Sequence, residues 1–280
     1  MQIARSLQAM RQRVGRTQAE IARRAGVSVG TVNRYMDWRD PARLTVPTIG
    51  ALADACDATP QERAALVELV RTQADGWWVR HAAVPDWMDP LLSFEDLATY
   101  ESVYCNHLVP GLLQTRAYAL ALHRAQEPRA AAEEIERRVD ARLKRQDILK
   151  RAPDFHLWVV MDEAVLRRRV GDTKVMAGQL DHLQDLSQRP GIDLQVLPFD
   201  TGAHAAGAGG HFLMLGRDDV HDPMGSMAVV YLELHRRGVY LDDPEDVQGY
   251  KITFDYLRSQ AANPARSLDL LADARTEILK

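Results

Sequence analysis

Asn33 and Arg34 are neighbours in this 280-residue chain, and both end in planar groups that make paired hydrogen bonds. A guanidinium can donate two bonds to O6 and N7 of guanine; a carboxamide can bridge N6 and N7 of adenine. Each such pair discriminates between bases by about 1–3 kcal/mol. Gln18 can offer its amide and a helix N-terminus to a phosphate. Arg39 and Arg43 follow shortly after and read either as phosphate clamps or as exposed loop arginines. Chemistry of this kind works only if a rigid support turns these side chains outward together.

The support is legible in the local pattern. Ile3, Leu7, Met10 and Val14 recur at three- and four-residue spacing and predict a first helix from about Ile3 to Val14, ended by Gly15. Thr17 and Glu20 have the spacing of a capping box that opens a second helix. Gly26 stands where a helix C-terminus favours positive φ. Ser28 is an N-cap for a third helix running from Val29 to about Asp37, with Val27 and Val32 at the positions of a hydrophobic staple. On that helix Val32, Tyr35 and Met36 fall inward, which leaves Val29, Gly30, Asn33 and Arg34 outward. Thr45 is read as the cap of a fourth helix, with Leu44 stapling Ile49. Thr59-Pro60-Gln61-Glu62 opens a fifth, whose inner face is Leu66, Leu69 and Val70. Five helices containing a tight helix-turn-helix are expected over residues 1–75.

Charge is uneven. The net charge is -4, yet residues 1–43 hold nine arginines against Glu20, Asp37 and Asp40, a local excess of six positive charges. This suits a polyanion-binding head or a solvated helical face. Hydrophobic content of 46% and charged content of 26% are those of a soluble globular protein. No apolar run is long enough to span a bilayer, and the Arg-rich N-terminus lacks the apolar core of a secretory signal. Cys56 and Cys105 read as buried free thiols. A cytoplasmic protein with no membrane partner is expected.

The run Gln18-Ala19-Glu20-Ile21-Ala22, Ala25-Gly26-Val27-Ser28, Thr31-Val32-Asn33-Arg34 resembles the Cro/C1-type (Xre-type) helix-turn-helix of bacterial and phage repressors, over about residues 3–70. The resemblance implies that the second helix of the motif lies in the major groove. Ser28, Val29, Gly30, Thr31, Asn33 and Arg34 would then face double-stranded DNA, and Gln18 would bind phosphate. Val29 and Gly30 depart from the polar residues common at those positions. Val29 can touch a thymine methyl; Gly30 reads nothing but permits close backbone approach.

Residues 76–93 break the helical period and hold Trp77, Trp78 and Trp87. They read as a strap packed against one domain, with an effector-sensing aromatic patch as the alternative. Beyond, over 94–280, the pattern is mixed. Helices are expected at Phe94–Cys105, from Pro110 onward, and continuously from Ala130 to Ala152. Short β-rich runs occur at 156–161, 193–199, 211–215 and 228–234, and a hairpin turn is expected at Arg237-Gly238. The fold class is therefore multi-domain: an all-α helix-turn-helix domain, then an α+β domain on one mixed sheet. "VPGLLQTRAYA", "DEAVLRRRVG", "LQVLPFDTGAH" and "AVVYLEL" are similar to the C-terminal domain behind this motif in actinobacterial regulators of the WhiJ-like, antitoxin-like group. That resemblance implies a small acidic partner protein encoded nearby.

Catalytic patterns are lacking. There is no nucleophile elbow, no phosphate loop and no zinc-ligand spacing among the histidines, so neither an enzyme nor a cofactor is indicated. Asp162-Glu163 reads as a helix start. The glycine-rich 201–212 stretch reads as a loop beside the sheet, conceivably a lid. Trp77, Trp78, His204, His211, Glu233 and His235 are candidates for a ligand pocket. The basic run Arg137 to Arg151 reads as a solvated helix face, with an anion or partner site as the sharper alternative. The expected function is a sequence-specific DNA-binding regulator, a repressor acting as a homodimer on a palindromic operator. Its larger domain would dimerise and sense a partner protein or small-molecule effector. The alternative is an antitoxin-like protein that binds a small partner and uses DNA for autoregulation.

Overall fold

The computed structural model describes residues 2–37, 44–75, 78, 81, 83–85, 88–218, 227–235 and 237–280. The chain divides into two compact units, an all-α unit and an α+β unit with a six-stranded mixed sheet.

The first holds five helices: α1 (Gln2–Arg13), α2 (Gln18–Ala25), α3 (Val29–Met36), α4 (Val46–Ala55) and α5 (Pro60–Asp75). Each contributes an apolar stripe to one core, in which Leu7, Ile21, Val32, Ile49 and Leu52 are fully buried. The second capping box forms as its spacing predicts: the Thr59 amide donates to Glu62 (2.7 Å) and the Glu62 amide to the Thr59 hydroxyl (3.2 Å). Thr45 is a correction. It sits at the N-cap of α4 with extended backbone, but its hydroxyl donates to the Thr48 hydroxyl (2.9 Å) and accepts no helix amide.

In the second unit, α6 (Asp89–Leu97) leads into β1 (Tyr100–Cys105). The single helix expected over Phe94–Cys105 is thus overturned. Tyr-Glu-Ser-Val-Tyr-Cys alternates, and its placement between β2 (His156–Asp162) and β4 (Phe212–Arg217) makes it a central strand. Three further expectations shift. Pro110 precedes a 3-10 turn at Gly111–Leu113, and α7 (Arg116–Gln126) begins only after Thr115, whose hydroxyl accepts the Tyr118 amide. The long helix becomes α8 (Ala132–Arg145) and a 3-10 segment, Gln146–Arg151. Arg237 and Gly238 lie inside β6 (Arg237–Leu241), paired with Leu234 and Glu233 of β5 (Met227–Leu234). Gly238 is needed for packing, not for a turn: a Cβ there would collide with the Tyr231 ring.

The sheet order is β3-β2-β1-β4-β5-β6, with β3 spanning Ile192–Leu197. β1, β2 and β3 are parallel and joined by helical crossovers, whereas β4 runs antiparallel to β1. The second crossover contains α9 (Glu163–Arg167) and α10 (Thr173–Leu186). α11 (Pro244–Gln260) covers one sheet face through Phe254 and Leu257, packed on Tyr104, Val160, Phe212 and Val230. α12 (Pro264–Ile278) lies on α10 and β3. At the β3 edge the Val196 amide donates to the Ser267 hydroxyl (3.0 Å), and its carbonyl accepts from Ala262 (2.8 Å). That cover occupies an edge that would otherwise offer unpaired groups to another strand.

Candidate nucleic-acid interface

The α2–turn–α3 unit is shaped by its caps. The Thr17 amide donates to the Glu20 carboxylate (2.8 Å) and the Glu20 amide to the Thr17 hydroxyl (3.3 Å). At the other end Gly26 takes φ 68°, and its N–H returns to the Ala22 carbonyl. A left-handed conformation there costs a side chain about 1 kcal/mol, which glycine avoids. One residue intervenes before Ser28, whose hydroxyl accepts the Thr31 amide (3.0 Å) and starts α3. The chain therefore turns within three residues.

Long-range bonds then fix the direction of α3, and none of them was anticipated from the sequence. Gln8 of α1 donates its side-chain amide to the Met36 carbonyl (2.6 Å), satisfying an orphan acceptor at the helix C-terminus. The Tyr35 hydroxyl, on a residue only 6% exposed, accepts the Thr45 amide (3.1 Å). Arg13 and Glu62 tie α1 to α5 at 2.6 Å. The Arg13 hydrogen bond, joined by the Thr59 amide, holds the Glu62 carboxyl down to about 2 despite its burial. No periodicity or motif announces contacts between residues 28 and 49 positions apart.

With Val32, Tyr35 and Met36 buried, α3 presents Ser28, Val29, Gly30, Asn33 and Arg34 to solvent, with Thr31 and Gln18 half-buried. Val29 is 43% exposed. A Cβ at Gly30 would meet only the Ser28 hydroxyl at an ordinary 3.6 Å. The fold would therefore accept a small side chain at this position. Arg39 and Arg43 lie outside the described residues. The local charge is also smaller than residues 1–43 suggest. Residues 44–75 add Arg63 and Arg71 against five acids, so the excess of six falls to three. Two of those acids engage arginines of the first segment: Glu62 takes Arg13, and Asp57 takes both Arg16 (2.5 Å) and Arg24 (3.1 Å).

The second unit separates the candidate pocket residues. The His204 ring lies tilted at 60° to that of Tyr104, with centroids 5.7 Å apart and its Nε2 3.4 Å from the phenol oxygen, on the α11 side of the sheet. Glu233 alternates with Val230 and Leu232 and so takes the opposite side, with Tyr231. His211 is held below the ordinary imidazole range by burial, against the opposing charge of Glu233, so these two do share an environment. His235 is exposed. Trp78 is buried but belongs to the first unit, and Trp77 lies outside the described residues. A groove of about 400 Å³ lined by Glu163, Arg167, Phe199 and Leu270 includes none of them. The glycine-rich loop is anchored: Ala205 donates to the Gln260 side chain at 3.1 Å. Asp162 caps α9 through the Ala164 amide (2.8 Å). The basic run is not uniformly solvated, because Arg145 is buried against Glu95. Among the described residues no three His, Cys, Asp or Glu side chains converge to hold a metal ion, and no helix is long and apolar enough to cross a membrane.

Two short helices joined by a capped turn, the second with one face exposed, make a helix-turn-helix domain. Residues 2–66 match the family model described by that name. The chain thus carries the DNA-binding domain of a regulator. Residues 88–273, about two thirds of the chain, match the model described as a domain of unknown function, DUF5753, and the chain belongs to that family. No curated protein and no solved structure matches it.

Proposed function

We propose that the protein is a sequence-specific transcriptional regulator, a repressor, that lays α3 in the major groove of an operator. The observation that carries this reading is the division of α3: Val32, Tyr35 and Met36 are buried, while Val29, Gly30, Asn33 and Arg34 form a continuous exposed edge. Arg34 and Asn33 read base edges, Val29 meets a thymine methyl, and the glycine at 30 lets the backbone come close. Gln18, Ser28 and Thr31, with Arg39 and Arg43, contact phosphates and set the register. One such helix makes too few base contacts for a useful operator, so the working species is a homodimer on a palindromic site with half-sites about one DNA turn apart. The DUF5753 domain supplies the dimer surface and the response to a small molecule or a small partner protein.

The test is footprinting on the DNA upstream of the protein's own gene, followed by titration with Arg34→Ala. The expected result is two protected half-sites, with a loss of about tenfold or more on the operator and little change on random DNA. Equal losses on both would remove Arg34 as a base reader, and no protection on any duplex would remove the reading altogether.

A further inference from the structure

One side of α11 is committed to the sheet, through Val247, Tyr250, Phe254 and Leu257. The outer side carries Gln248, Gly249, Ile252, Asp255, Tyr256 and Ser259, all exposed. A lone exposed apolar side chain is ordinary on a protein surface. Here two large ones, Ile252 (47% exposed) and Tyr256 (62% exposed), stand one helical turn apart on one face. A Cβ at Gly249 would meet nothing within 4 Å, so beside them the surface is open down to the helix backbone.

The order of residues along this face matches itself when reversed. Gly249 and Tyr256 lie equally far to either side of a point between Ile252 and Thr253, and both fall on one flank of Ile252 when the helix is viewed end-on. Lys251 and Asp255 lie nearly equally far from that point, together on the opposite flank. A two-fold axis through the point, perpendicular to the helix, brings an antiparallel copy against the same face. Each Tyr256 ring then meets the open place at Gly249 of the other copy. Ile252 meets Ile252, and each Lys251 ammonium meets an Asp255 carboxylate. Asp255 lies 3.3 Å from Arg258 in its own chain, but that pair is exposed, and exposed pairs are weak enough to be shared. A parallel copy keeps Gly249 and Tyr256 at different heights, so neither contact forms.

We infer that the outer face of α11 is the contact between two copies of this chain, packed antiparallel about that two-fold axis. This deepens, and rests on, the reading of the second domain as the dimer-forming part of a regulator. A helix of this length spans about 25 Å, and one pair of such helices covers less than the about 800 Å² per partner of a standard interface. The dimer is therefore weak in solution and gains strength when two linked half-sites hold both copies.

The experiment is sedimentation equilibrium of the full-length protein across the micromolar range. The wild type is expected to pass from a 31.5 kDa monomer to a species of twice that mass. Ile252→Glu, at an already exposed position, sets like charges together at the axis and should raise the dissociation constant at least about tenfold. Lys251→Glu and Asp255→Lys should each raise it about three- to tenfold, and the double variant should recover. Orientation is read by cross-linking with diamide, since the native Cys56 and Cys105 are buried. Ile252→Cys should form a disulfide-linked dimer. Ser259→Cys should not, because its two copies stand about 20 Å apart along an antiparallel pair. The inference is overturned if the wild type stays monomeric throughout, if Ile252→Glu leaves the dissociation constant unchanged, or if Ser259→Cys cross-links as readily as Ile252→Cys. A dimer indifferent to Ile252→Glu overturns this surface alone and leaves the regulator reading standing. A footprint of one half-site only would remove the dimer from that reading itself.

Discussion

In the helical unit the ion pairs that tie elements together keep at least one partner in water: Arg13 with Glu62, Arg16 and Arg24 with Asp57. In the sheet unit Arg145 and Glu95 are 11% and 4% exposed at the side chain, with the buried Glu101 close enough to respond to both. The helical unit can afford this arrangement because its shape is already set by short-range devices, caps and a bend, and by a small apolar core. Its charges are left for the outside. The sheet unit spends buried charge on one face of its sheet, where low polarity strengthens each attraction and makes each imbalance costly. One unit presents chemistry on its surface; the other keeps it beneath two helices.

The largest effect should come from breaking the buried pair. Arg145→Met leaves Glu95 buried beside no direct partner and should cost about 3–5 kcal/mol, read as a lower denaturation midpoint. Glu95→Gln should cost less, because Glu101 is released from a repelling neighbour and can ionise to take over Arg145. Equal costs for the two variants would show that Glu101 does not respond to Glu95.

The next effect is a pH dependence. The folded-state pKa of Glu101 is raised to about 8 from an ordinary carboxyl value, so the folded state holds its proton more tightly than the unfolded chain. The stability this provides is full below about pH 4, falls as pH rises, and is gone once pH passes about 8. Glu101→Gln should remove that slope, so the Tm difference between variant and wild type should widen in favour of the variant from pH 5 to pH 8 and then level off. A constant difference would place the Glu101 carboxyl in a solvated setting.

The caps give the smaller contrasts. Ser28→Ala removes an acceptor from the Thr31 amide and should cost about 1 kcal/mol. Thr45→Ala occupies the same formal position on α4 yet removes only a hydroxyl pair with Thr48, and should cost a few tenths of a kcal/mol. Denaturant titration of both variants decides it; similar losses would mean that the Thr45 hydroxyl serves the helix end after all. Ser28→Ala should also loosen operator binding, since it frays the start of α3.

What could be read ahead follows this division. Helices α1 to α5, the Gly26 bend and both capping boxes were legible because each rests on residues within about four positions of one another. The outward set of α3 follows from the same periodicity, which is why Asn33 and Arg34 stood out. In the second unit β2, β3, β4 and β5 showed as β-rich runs. β1 did not, because Tyr-Glu-Ser-Val-Tyr-Cys has no local preference strong enough to separate it from the apolar helix just before it; pairing with both β2 and β4 settles it. Thr45 carried the right residue type, yet the Thr48 hydroxyl competed for it.

Sequence alone determined the helix-turn-helix, the exposed face of α3 and the mixed, single-sheet character of the second unit, because these depend on short-range geometry and on the alternation of apolar residues. Only the tertiary structure decided where α3 is anchored, through Gln8 and Tyr35, and which arginines of α8 leave the solvent. Those outcomes depend on contacts between residues tens of positions apart, and the energy of a charge is set by what surrounds it in space.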